Sequence, residues 1–273
     1  MAMRRSLLVG INTHLNPAFA LRGCINDIDS LHGILRESYA FSDDQTAILK
    51  DAQATRSAIL SKLQALFSGV SEGDVIVFGF AGHGTRHSDP LNPRALEAIV
   101  PYDTQATSDL ISNHEINSIA RQHISEQGLS GKVNFTAIYD CCHSGLMYRD
   151  LINRDGLLEI GLINRVIDLS QLSSPADRRI RDIEFTDDFQ VLSACRDNQT
   201  AADLPKQPEK GVNEPRGAFS FILHRLIREN SAISIGELEQ RITGPVAELV
   251  APHIQVPVLA VKEDWKGRGI FTI

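Results

Sequence analysis

Val133-Asn134-Phe135-Thr136-Ala137-Ile138-Tyr139 runs directly into Asp140-Cys141-Cys142-His143-Ser144-Gly145, so an apolar strand-like stretch delivers a thiol at its carboxyl end. A second stretch, Asp74-Val75-Ile76-Val77-Phe78-Gly79-Phe80, ends the same way in Ala81-Gly82-His83-Gly84. Continuous apolar runs of this length suit strands buried on both faces of a parallel sheet. Open α/β sheets place their sites in the crevice outside the carboxyl ends of such strands. A cysteine from one end and a histidine from the other form a candidate nucleophile and base.

Working outward, strand and helix patterns alternate. Strands are expected near 6–11, 46–50, 74–80, 133–139, 189–195 and 255–261, with a short extended piece at 98–101. Helices are expected near 24–38, 54–67, 113–127, 217–228 and 234–250. Asn26, Asp27 and Asp29 help start the first helix, and Thr55 precedes the second. Repeated βαβ order predicts one α/β domain over 1–273, with a mixed, mainly parallel sheet of about six strands and helices on both faces. The stretch 146–186 has weak signals and many arginines and reads as a long linker, and 204–216, with three prolines, as a loop.

Composition narrows the function classes. The chain has 273 residues, 42% of them hydrophobic, and a formal net charge of −7. That is enough to bury a full core, and the acidic balance argues against a nucleic-acid-binding face while suiting a cationic substrate. Four cysteines, two of them adjacent, make a poor disulfide framework, which predicts a reducing cytoplasm. The apolar run after Arg4 and Arg5 is too short for a signal peptide and reads as a strand, and no stretch suits a membrane span.

At the two strand ends, a free thiol of pKa about 8.5 needs help to ionise near neutrality. His83 is the candidate base, 59 residues before Cys142 (142 − 83). Gly82 and Gly84 leave the backbone there unshielded, so the Gly84 N–H and the Cys142 N–H are candidate oxyanion donors. A zinc site built from Cys141, Cys142, His143 and His83 is the competing reading, but adjacent ligands lack the usual spacing, and no metal or cofactor is expected.

Ala81-Gly82-His83-Gly84 and Asp140-Cys141-Cys142-His143-Ser144-Gly145 resemble the histidine and cysteine motifs of the metacaspases, caspase-like cysteine peptidases of bacteria, plants, fungi and protozoa. Leu21 to Asp27, Glu97 to Asp103, and Ser193 to Asp203 followed by Gly217-Ala218-Phe219 fit in the same order. The resemblance implies a caspase-like three-layer sandwich, with 1–145 as the large-subunit-like part and 187–273 as the small. It also implies Cys142 as the nucleophile, with Cys141 at the preceding family position, and cleavage after Arg or Lys. Asp27 and Asp140 match positions that line the pocket for the residue before the cut, and Asp203 or Asp197 is a candidate third carboxylate. The plainer alternatives are a helix cap for Asp27 and a loop-holding acceptor for Asp140.

Two departures stand out. Ala81 replaces a Ser found in many relatives. Ile111-Ser112-Asn113-His114-Glu115 occupies the place of paired aspartates in calcium-activated members, and Leu96 stands where another acid is common. Calcium needs six to eight oxygens, several from carboxylates. The chain therefore most resembles the calcium-independent orthocaspases. Expected partners are protein or peptide substrates, with no nucleic acid or membrane, for a monomer. Self-cleavage is expected in the linker, which carries Arg149, Arg154, Arg165, Arg178, Arg179 and Arg181, with Arg178, Arg179 and Arg181 the favoured sites. The alternative function is a caspase-like interaction module without activity.

Overall fold

The computed structural model describes residues 2–89, 92–142, 163–167, 172, 189–196, 199–205 and 214–272. Its main sheet is built from β1 (Arg4–Gly10), β2 (Thr46–Lys50), β3 (Val75–Ala81), β7 (Asn134–Asp140), β9 (Gln190–Ser193) and β12 (Val258–Ala260). Their spatial order is β12-β9-β7-β3-β1-β2, parallel throughout except for β12 against β9. All seven residues of both β3 and β7 are buried, as expected of central parallel strands with helices on each face.

Period-two alternation sorts the strand side chains into two cores. Leu8, Val75 and Val77 pack with Ile28, Leu31 and Leu35 of α1 (Cys24–Tyr39), with Phe219 and Leu223 of α4 (Ala218–Glu229), and with Leu238 and Ile242 of α5 (Ile235–Val250). Leu7, Val9, Ile76 and Phe78 face the other way, onto Ile59 and Leu63 of α2 (Arg56–Phe67) and Ile116 and Ile119 of α3 (Asn113–His123). The result is helix, sheet, helix: the three-layer arrangement read from the alternation of apolar runs.

Two small sheets sit beside the main one. β4 (Gly84–Asp89), β5 (Asn92–Ile99) and β6 (Ile111–Ser112) form an antiparallel set following the histidine loop. The sequence reading had only an extended piece at 98–101 here; the sequence Asp89-Pro90-Leu91-Asn92-Pro93, rich in turn-favouring residue types, is the local signal of a hairpin. The second set is β8 (Ile163–Asn164), β10 (Ala202–Leu204) and β11 (Arg216–Gly217). Within the stretch read as a linker, 146–186, residues 163–167 pair with or contact the rest of the protein through β8 and Arg165. Their placement depends on partners 23 and more residues away, from Cys142 to Asp203, which no local pattern reveals.

Candidate active site

β3 and β7 are adjacent and parallel, with Ala81 paired to Asp140, so the two motif loops leave the sheet at the same height. The Gly82 N–H donates to the Asp140 carbonyl (3.3 Å), tying the loops together. Their approach requires glycine at 84, where a Cβ would lie 2.1 Å from the Cys142 carbonyl oxygen.

His83 is buried, with Nε2 2.9 Å from the Phe19 carbonyl. A carbonyl only accepts, so in the neutral ring Nε2 carries the proton and Nδ1 keeps its lone pair. Burial, and then neighbouring His14, lower the His83 pKa to about 3, with the Phe19 hydrogen bond opposing. The imidazole is therefore neutral near pH 7 and able to accept a proton. His14 lies 5.5 Å away, ring to ring, and its Nδ1 is 3.3 Å from the Pro101 carbonyl, so it braces the loop that carries Phe19.

Cys142 is buried, and its Sγ accepts the Ala201 N–H at 2.8 Å. The Gly84 N–H and the Cys142 N–H, the two expected oxyanion donors, both point at one atom: the carbonyl oxygen of Arg165, 3.1 Å from each. Two donors converging on a carbonyl beside a thiol is the geometry that stabilises a tetrahedral oxyanion.

The Arg165 side chain is fully buried among three carboxylates. Nη2 lies 2.7 Å from Asp27 and 2.8 Å from Asp203, and Nη1 lies 3.1 Å from both Asp140 Oδ1 and the Asp140 carbonyl. Backbone donors hold each carboxylate: Gly217 N–H on Asp27 (2.9 Å), Ser220 N–H on Asp140 (3.0 Å), and Arg22 and Gly23 N–H on Asp203 (2.8 and 3.1 Å). Asp27 lies in the first turn of α1 but does not cap it; Gly23 is the N-cap. Arg216 Nε donates to the other Asp27 oxygen (2.6 Å) and its Nη2 to His224 Nδ1 (2.8 Å). Burial, then Arg216, keep His224 well below the usual histidine range, so it is a neutral acceptor there.

Of the residues singled out in the sequence, Cys142, His83, Gly84, Asp27, Asp140 and Asp203 therefore come together. Asp197, Arg178, Arg179 and Arg181 lie outside the described residues, as do Arg149 and Arg154. The sequence reading missed Phe19, His14, Ala201, Arg216 and His224. Arg216 had a signal, because it directly precedes the Gly217-Ala218-Phe219 match, and Ala201 lies inside the Ser193 to Asp203 match; Phe19 contributes only a backbone group and had none.

Three carboxylates against two guanidiniums leave one excess negative charge in a buried cluster. Burial pushes Asp27 up to about 6, with Arg165 and Arg216 opposing. A carboxyl raised above its ordinary value of 3.8 contributes stability that is complete below about pH 4 and is lost as pH rises through about 6, so Asp27 protonates in the fold before it would in an open chain. The native chain is expected to gain stability relative to Asp27→Asn as pH falls from about 6 towards 4; urea melts across that range check it, and equal pH slopes in the two chains would contradict the assignment.

Gly217 lines the cradle, and a Cβ there would meet Asp140 Oδ2 at 2.2 Å and Arg165 Nη1 at 2.7 Å. Gly217→Ala is therefore expected to force the cradle apart and to cost about 1–3 kcal/mol of stability, the scale of overpacking, which a denaturant melt beside the native chain reads.

A family model for the metacaspase, peptidase C14 domain matches residues 4–151. The chain belongs to the metacaspase family. It is 27% identical to metacaspase-1 of Schizosaccharomyces pombe, over 86% of this chain and 62% of that one, and 26% identical to metacaspase-2 of Trypanosoma brucei brucei, over 86% and 66%. The metacaspase chain described here thus spans less than two thirds of the length of these curated relatives. Its fold resembles the crystal structure of protein GSU0716 from Geobacter sulfurreducens, with a TM-score of 0.69 at 17% identity over 99% of both chains. Among the described residues, no helix is long and apolar enough to cross a membrane, and no group of three or more His, Cys, Asp or Glu is placed to hold a metal ion.

Proposed function

We propose that this metacaspase is a cysteine endopeptidase that cuts after arginine and lysine with Cys142 as nucleophile and His83 as acid and base. The observation that carries this is Arg165, whose guanidinium sits among Asp27, Asp140 and Asp203 while its carbonyl accepts the N–H groups of Gly84 and Cys142. A basic residue held this way presents the following peptide bond to the thiol. Cys142 attacks the carbonyl carbon, His83 takes the thiol proton and passes it to the departing amine, and a water deprotonated by His83 then cleaves the thioester.

Three carboxylates select a cation and repel an acidic side chain. Because Nη1 and Nη2 face different carboxylates, a forked guanidinium satisfies all three where an ammonium offers one nitrogen, so arginine is preferred to lysine. The described parts act as one peptidase domain working as a monomer in the cytoplasm, on protein or peptide substrates. Labelling with an arginyl chloromethylketone tests the assignment: the reagent is expected to alkylate Cys142, and a label found on Cys141 would overturn it.

Calcium is not needed in this reading. Ser112 and Glu115 form a capping box at the start of α3, Glu115 also pairs with Arg56, and Asn113 donates to Glu97 (2.7 Å), so both carboxylates here are engaged within the fold. Neither Asn113 nor His114 carries the negative charge that attracts a hard dication. Peptide turnover is expected to change by less than about twofold between excess chelator and millimolar calcium. Loss of activity on chelation, restored by calcium alone, would contradict this.

A further inference from the structure

The segment Ile163–Ile167 is anchored on both sides of one peptide bond. Upstream, Ile163 and Asn164 pair antiparallel with Asp203 and Ala202, the Arg165 N–H donates to the Ala201 carbonyl (3.0 Å), and Thr200 Oγ1 donates to the Asn164 side chain (3.1 Å). Downstream, Val166 bridges Gly84, and Ile167, only 2% exposed, packs with Phe19, Ala98, Val100 and Leu110. Ion pairing alone explains why an arginine fills an acidic cradle. It does not explain why the same residue's carbonyl takes both converging N–H donors beside a thiol.

We propose that Arg165–Val166 is the bond this protein cuts in its own chain, and that Arg165 afterwards remains in the cradle as a tethered competitor, so that the cut alone does not clear the site. The proposal rests on the peptidase reading above. In the cut, Cys142 Sγ bonds to the Arg165 carbonyl carbon and the C–N bond to Val166 breaks. Val166 leaves as an amine carrying the proton that His83 took from the thiol. One water then hydrolyses the thioester, leaving a carboxylate on Arg165 and restoring the thiol. The only covalent loss is that one peptide bond.

What holds Arg165 survives the cut. Its three ion pairs, its N–H bond to Ala201 and the pairing of β8 with β10 all lie upstream of the broken bond. Arg165 is also only 23 positions from Cys142 in the chain (165 − 142), so the new end cannot diffuse away. A short tether keeps an effective concentration of order 1 mM; against a product Kd of order 0.1 mM, that raises the apparent KM of an added peptide about tenfold. The two pieces stay together, because β7 from the first pairs with β9 from the second. The sequence reading favoured Arg178, Arg179 or Arg181 on grounds of exposure; Arg165 is favoured here because it is already seated.

The test uses four full-length chains: wild type, Cys142→Ala, Arg165→Gln and Val166→Pro. New amino termini are read by mass spectrometry, and turnover is read with an arginine fluorogenic peptide. Wild type is expected to gain an amino terminus at Val166, and Cys142→Ala to stay whole. Val166→Pro keeps Arg165 but places a ring and no N–H after the attacked carbonyl; it is expected to stay whole and to turn over peptide at least about 100-fold more slowly than Arg165→Gln. Arg165→Gln is expected to be active without a lag, with a KM about tenfold below that of fully cut wild type.

A wild type that turns over peptide yet stays whole, or is cut only after Arg178, Arg179 or Arg181, overturns the cleavage site. Equal KM values for cut wild type and Arg165→Gln overturn the tethered competitor. If Arg165→Gln fails to fold, turnover by uncut Val166→Pro equal to that of cut wild type overturns the closure by Arg165. Absence of turnover of any arginine or lysine peptide by every folded chain instead sinks the peptidase reading, and the proposal with it.

Discussion

Cys142→Ala is expected to lower kcat/KM for an arginine peptide by about 10⁴-fold or more, the scale of deleting a nucleophile from an acyl-transfer site. The protein should still fold, because among the described residues the sulfur's hydrogen bonds are to the Ala201 backbone alone and the change leaves the Cys142 N–H in place. Cys141→Ala is the informative control. Cys141 is fully buried on the α2 and α3 side of the sheet, and burial pushes its thiol well above the ordinary range, which suits a core side chain better than a nucleophile. Its removal is expected to cost about 1 kcal/mol of stability, on the scale of a small cavity, and to leave kcat/KM within about threefold. Kinetics and melts on both variants decide it; a larger loss of activity in Cys141→Ala than in Cys142→Ala would reverse the assignment.

Asp27→Asn, Asp140→Asn and Asp203→Asn are each expected to lower kcat/KM for arginine peptides by about 30-fold or more, which is about 2 kcal/mol of transition-state binding. Asp27 should give the largest loss. It receives Arg216, the Gly217 N–H and the substrate-like guanidinium together, so its neutral isostere also loosens Arg216. Asp203 anchors the Arg22 and Gly23 backbone, and its replacement is expected to disturb the entry to α1 as well. Separate kcat and KM values distinguish a binding loss from misplacement. Variants with unchanged kcat/KM would show that the carboxylates serve only to hold residue 165 in the fold.

The parts of this site that were legible in sequence share one physical property: they lie at the ends of elements whose patterns are local. Val75 to Ala81 and Asn134 to Asp140 are apolar runs, so their carboxyl ends, with His83 and Cys142, were located before the fold was known. Thr55 as the cap of α2, accepting the Ala58 N–H, was equally local. Asp27, Asp140 and Asp203 were named from motif resemblance, but their convergence depends on α1, β7 and β10 meeting in space. The seating of Arg165 was out of reach for a stronger reason. Nothing near Ile163-Asn164-Arg165-Val166 distinguishes it from the other arginines of the same stretch, because every group that holds it comes from elsewhere in the chain: Gly84, Cys142, Ala201 and the three aspartates. The β4–β5 hairpin was missed differently, since its turn residues were present and were passed over.

The most direct test of the account is a panel of fluorogenic peptides that differ only in the residue before the cut, arginine, lysine or aspartate, assayed with the full-length chain. The expected order is arginine above lysine by about tenfold, the worth of one charge-assisted hydrogen bond, with aspartate at background. Turnover of the aspartate peptide at a rate near that of the arginine peptide would contradict a cradle built from Asp27, Asp140 and Asp203.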